Sequence, residues 1–119
     1  MKGNEALAVF TEEFNRCREV LALQDWDCTI KAKRMRDAKA DIDPDLPAHM
    51  ATVRVNTAMD LSAQEWRRTA RHECCHLFVA KLRWLAGERY VSEDELDREY
   101  ERLAVIGEKL MIERAGGGK

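Results

Sequence analysis

His72-Glu73-Cys74-Cys75-His76 sits inside a run from Ala63 to Trp84 that holds neither glycine nor proline. Histidines four positions apart share one face of a helix, so both imidazoles can reach the same ion. A glutamate between them can hold a water molecule against that ion and act as its general base. The H-E-x-x-H spacing therefore predicts a metal site in the middle of a long helix. Its edges agree. Ser62-Ala63-Gln64-Glu65 is an S-x-x-E capping box that starts a helix, and Leu85-Ala86-Gly87 offers a glycine to end it. Ala70, Cys74, Cys75, Leu77 and Phe78 around the motif are uncharged.

Upstream, Leu7, Phe10, Phe14, Cys17 and Leu21 recur at spacings of three and four, which predicts an amphipathic helix over about Asn4 to Leu23. The period then changes. Trp26, Cys28, Ile30 and Ala32 alternate with polar residues, giving a half-buried strand from Trp26 to about Arg34. A weaker alternation spans Ala38 to Ile42, ahead of the turn-rich Asp43-Pro44-Asp45-Leu46-Pro47. Ala51, Val53 and Val55 alternate with Thr52, Arg54 and Asn56 in a third strand. Three strands with no helix between them predict a small antiparallel or mixed sheet. Downstream, Ser92-Glu93-Asp94-Glu95 is a second capping box, opening a carboxylate-rich helix to about Ala115, with Leu96, Tyr100, Leu103, Ile106 and Leu110 centring its apolar stripe. A glycine-rich tail, residues 116–119, follows. The chain reads as one α+β domain over residues 1–119, since a chain of this length supports one core and not two.

Composition narrows the function classes. With 45% apolar and 35% charged residues the chain is an ordinary globular protein. A net charge of −2 argues against a dedicated nucleic-acid binder. The basic cluster Lys31, Lys33, Arg34 and Arg36 is a solvated strand face or, in the alternative, a phosphate-contacting edge. The longest nearly apolar run, Cys74 to Ala80, is too short to cross a bilayer. Met1-Lys2-Gly3-Asn4-Glu5 lacks the apolar block of a signal peptide, so a cytoplasmic location is expected. Cys17, Cys28, Cys74 and Cys75 form no C-x-x-C pair and are expected to be reduced and packed. On a helix Cys74 lies roughly 200° and Cys75 roughly 60° from His72, so neither is expected to bind the ion that the histidines hold.

A catalytic zinc takes three protein ligands and keeps a position for water. His72 and His76 supply two. No histidine follows His76, but the next helix carries Asp97, Glu99, Glu101 and Glu108 among its carboxylates, and a carboxylate completes a His₂Glu set. H-E-x-x-H followed by a glutamate on the next helix resembles the gluzincins, and in particular the minigluzincins. Those are built from a helix, a short three-stranded sheet, the active-site helix and a glutamate helix. The chain is also similar to small H-E-x-x-H proteins of bacteriophage genomes and, more distantly, to SprT-like and ImmA-like domains.

The resemblance implies a zinc-dependent metallopeptidase acting on a protein or peptide, with Zn²⁺ on His72, His76 and a third ligand, and Glu73 as base. In several such families that third ligand lies in an E-x-x-A-like motif, here Glu101-Arg102-Leu103-Ala104. Glu101 ranks first, ahead of Glu99 and Asp97, although the helical wheel sets Glu101 well off the middle of the apolar stripe. Gluzincins often add a donor to the tetrahedral oxyanion, for which His49, Tyr90 and Tyr100 stand open here. The strand before the active-site helix, Thr52 to Asn56, is implied to border the cleft. Two rivals share the fold: a non-catalytic metal-binding interaction module, and a SprT-like DNA-associated protease that uses the basic strand.

Overall fold

The computed structural model describes residues 1–87 and 92–117, apart from the side chains of 85–87, 99, 110 and 112–117. The order of elements is α1 (Gly3–Val20), β1 (Asp27–Ala32), β2 (Ala40–Asp45), β3 (Met50–Val55), α2 (Ala63–Gly87) and α3 (Glu93–Gly117). This is an α+β arrangement of three helices and a small mixed sheet. The strands lie in the order β1-β3-β2, with β1 parallel and β2 antiparallel to β3.

The sheet is mixed because β2 lies between β1 and β3 in the chain and reverses its direction between them. The central strand buries alternate residues, Ala51, Val53 and Val55, while Thr52 and Arg54 are half-exposed. β2 reaches further than the alternation predicts. Asp43, Pro44 and Asp45 continue it, pairing with Thr52, Ala51 and Met50, and the reversal comes over residues 46–49. Proline is tolerated there because β2 is an edge strand, where a missing donor breaks no ladder on the open side. His49, at φ 54° in the left-handed region, completes the reversal.

Both expected serine caps form, and at Ser62 the box is reciprocal, with the Ser62 N–H donating to Glu65 Oε1 at 3.4 Å. Ser62 Oγ accepts from the Glu65 N–H at 3.1 Å, and Ser92 Oγ accepts from the Glu95 N–H at 3.2 Å. α3 continues to Gly117, past the expected Ala115; residues 118 and 119 of the tail lie outside the described residues. The core joins Ala6, Phe10, Phe14 and Cys17 of α1 with the buried β3 residues and with Trp66, Ala70, Cys74, Cys75 and Leu77 of α2. α3 adds Ala104 and Met111.

The buried line of α3 differs from the expected stripe. Ala104, Gly107, Glu108 and Met111 are buried, whereas Ile106 is 40% exposed. Small residues decide this. A Cβ on Gly107 would come within 2.8 Å of Cys75 Sγ, so α3 approaches α2 through its smallest side chains and not its largest. Among the described residues no helix is long and apolar enough to cross a membrane.

Candidate metal centre

α2 carries His72, Glu73 and His76 toward α3 and toward the open edge of β2. The two histidine Nε2 atoms stand 3.1 Å apart, with the rings edge to face and their centroids 4.7 Å apart. The Glu73 carboxylate belongs to the same cluster, in which one ligand atom from each of the three residues lies within 4.8 Å of the others. These three residues could hold a metal ion. The cleft above them, lined by Ala40, Asp41, Ile42, Tyr100 and Glu101 besides the three, has a volume of about 320 Å³.

Glu101 approaches from α3. Its Oε1 lies 2.9 Å from His76 Nε2 and its Oε2 3.5 Å from His72 Nε2. The shifted buried line of α3 explains how a residue away from the expected stripe arrives there: Glu101 is one turn before Ala104, which is fully buried. Asp97, one turn earlier still, pairs instead with Arg83 at 3.0 Å and has no place in the cluster. The side chain of Glu99 lies outside the described residues.

Electrostatics follow from burial. Glu73 is 7% exposed, and burial, reinforced by the nearby Asp41 and Glu101 carboxylates, pushes its carboxyl up to about 8. Burial pulls His76 below its ordinary value against the opposing pull of Glu101. The same cause pushes the Cys75 thiol up to about 12 and raises that of Cys74 as well. The thiols are therefore neutral packing groups, and no cysteine joins the cluster among the described residues.

The sequence matches no protein-family model and no curated protein.

Of the three residues considered as oxyanion donors, Tyr100 lines the cleft, but its hydroxyl donates to the His76 carbonyl at 2.9 Å and its ring packs on the His76 imidazole. It braces the site. His49 is held at the other end of the sheet, stacked on Trp26 with Nδ1 3.2 Å from Asp25. Tyr90 lies outside the described residues. The strand that borders the cleft is β2, through Ala40, Asp41 and Ile42. β3 does not fill the role expected of it, because both of its edges are already paired. The exposed basic residues Lys31, Lys33, Arg34 and Arg36 lie on and just after β1, the opposite edge strand.

One residue of the neighbourhood stood in the sequence reading only as one carboxylate among those of the last helix. Glu108 is buried, with Oε1 accepting from Arg68 Nε at 3.1 Å and Oε2 lying 3.4 Å from His72 Nδ1. Its spacing was a usable signal, since Glu108 follows Glu101 by two helical turns and so shares its face.

Proposed function

We propose that the chain is a zinc-dependent metallopeptidase of the minimal gluzincin kind, with His72, His76 and Glu101 as ligands and Glu73 as general base. The observation that carries the reading is the convergence of two imidazole Nε2 atoms and one carboxylate, at separations of 3.1, 2.9 and 3.5 Å. Ligand atoms around a tetrahedral zinc at about 2.0–2.2 Å sit roughly 3.3 Å from one another. Two nitrogens and one carboxylate, whose Oε1 faces His76 and whose Oε2 faces His72, suit zinc chemically.

A zinc ion held there would supply Lewis acidity, making a water molecule a better nucleophile near neutral pH and polarising a carbonyl. Glu73 would take a proton from the attacking water and pass it to the leaving nitrogen. Its burial suits this work, because a carboxyl pushed above its ordinary range gains proton affinity, while a neighbouring cation would favour the ionised form that accepts the proton. Tyr100 fixes the backbone of His76 and so the height of its ring. An extended substrate would lie along the open edge of β2, adding as a further strand. There the backbone of Ala40 and Ile42 borders the cleft.

Zinc-loaded protein should cleave a general substrate such as fluorescein-labelled casein. Glu73→Gln should keep its zinc and lose about 100- to 10,000-fold in rate, the usual contribution of a general base. A wild type that holds zinc but cleaves neither casein nor a peptide library would contradict the enzymatic half of the proposal and leave a metal-binding module.

A further inference from the structure

The two histidines turn their inner nitrogens toward each other, but their outer nitrogens meet different surroundings. His76 Nδ1 is buried with no hydrogen-bond partner among the described residues. His72 Nδ1 lies 3.4 Å from Glu108 Oε2. Glu108 is 8% exposed although it is a glutamate in the middle of a helix. A carboxylate in that position needs partners for both oxygens. Arg68 Nε serves the first at 3.1 Å, and His72 Nδ1 faces the second at 3.4 Å.

Two carboxylates face His72, Glu108 at Nδ1 and Glu101 at Nε2, and each only accepts. The Glu101 side chain is 57% exposed and is served by water, whereas that of Glu108 is 10% exposed, so the hydrogen is drawn to Nδ1. That leaves the Nε2 lone pair directed at His76 and Glu101, which is where an ion would be held. Bracing α2 against α3 does not by itself explain the geometry. The Arg68 side chain is 75% exposed, and an ion pair with so solvated a partner contributes little. Glu101 and Glu108 flank Ala104 and Gly107, the small residues that let α3 close on α2. The same close approach thus sets one carboxylate on the inner side of the His72 ring and the other on its outer side.

We propose that Glu108 is a positioning residue. It holds His72 in the tautomer and ring orientation that leaves Nε2 free for a metal ion, while Arg68 fixes the far oxygen of the carboxylate. This rests on the reading of His72 as a ligand. Carboxylates that orient metal-binding histidines in this way are worth about 10- to 100-fold in metal affinity.

The test uses the full chain and two readouts, zinc affinity by competition with a chromophoric chelator and ¹⁵N NMR of the imidazoles in metal-free protein. Glu108→Ala should weaken zinc about 10- to 100-fold and turn His72 from the Nδ1–H form into a mixture of tautomers. Arg68→Ala should change zinc affinity less than about threefold. Glu108→Asp keeps the charge beside Arg68 but falls short of Nδ1, and should lose about tenfold; it carries the test if the alanine variant does not fold. Unchanged affinity and tautomer in Glu108→Ala, or an equal loss in Arg68→Ala, would overturn the positioning role alone. A wild type that binds no zinc would overturn the metal reading and this role with it.

Discussion

Where α2 meets α1, the buried side chains are apolar or joined in one ion cluster, in which the Arg71 Nε alone lacks a partner among the described residues. Phe10, Phe14 and Cys17 share a core with Trp66, Ala70 and Cys74. The one buried acid, Glu13, closes on Arg16 at 2.8 Å and on Arg71 at 2.8 Å. Where α2 meets α3, small residues bring the helices close and polar groups are gathered with unsatisfied demands. Two ring nitrogens stand 3.1 Å apart, a third nitrogen has no partner, and Glu73 is raised by burial. The first seam is arranged to be stable without help. The second holds groups whose charges and lone pairs suit a cation, at a cost to the metal-free fold.

Changes confined to one seam should leave the other's property untouched. The largest effect on stability belongs to the apolar seam. Phe14→Ala empties a fully buried ring position and should cost about 3–5 kcal/mol in chemical denaturation, while the folded fraction keeps its zinc affinity. An equal loss of zinc affinity would mean that the seams are mechanically coupled.

Glu13→Gln should cost less, about 2–3 kcal/mol at pH 7, because Arg16 is partly in solvent and can rehydrate. Burial alone would raise the Glu13 carboxyl, but hydrogen bonds from Arg16 and Arg71 outweigh it and hold the group below its ordinary 4.5. A lowered carboxylate stabilises fully above its unfolded value and loses that contribution as pH falls through the folded one. The gap in unfolding free energy between wild type and Glu13→Gln should therefore narrow below about pH 4.5. A gap that stays constant from pH 7 to pH 3 would show that the ion cluster does not stabilise the fold.

The smallest effect is expected at the close approach of α3. Gly107→Ala gains helix propensity of about 1 kcal/mol but pushes a Cβ to 2.8 Å from the Cys75 sulfur. That sulfur is the end of a side chain and can turn away, so net stability should move by less than about 1 kcal/mol. Because the same contact sets the reach of Glu101 and Glu108, zinc affinity should respond more than stability does. A stability loss with unchanged zinc affinity would separate the helix spacing from the site.

The same contrast explains what the sequence showed and what it concealed. Apolar periodicity laid out α1, β1 and β3, and the two S-x-x-E boxes marked where α2 and α3 begin. H-E-x-x-H needs only local geometry to bring His72, Glu73 and His76 together, so the inner half of the site was legible. The other half depends on how α3 rolls against α2. A wheel weighted by size turned Ile106 inward and Glu101 aside, whereas the packing is decided by Ala104 and Gly107, which score as nearly featureless. Glu108 was hidden for the same reason, as one carboxylate among many on an acidic helix. β2 took the place beside the cleft that β3 was expected to hold because strand order in a sheet is a long-range property, and Pro44 looked like a turn until it lay on an open edge.

The most direct test of the central claim is the zinc content of purified protein after loading and exhaustive dialysis, measured by elemental analysis for wild type beside Glu101→Ala. Near one equivalent in wild type and far less in Glu101→Ala is the expected result for an ion held by His72, His76 and Glu101. A wild type that retains no stoichiometric metal, or a Glu101→Ala variant that retains as much as wild type, would contradict it.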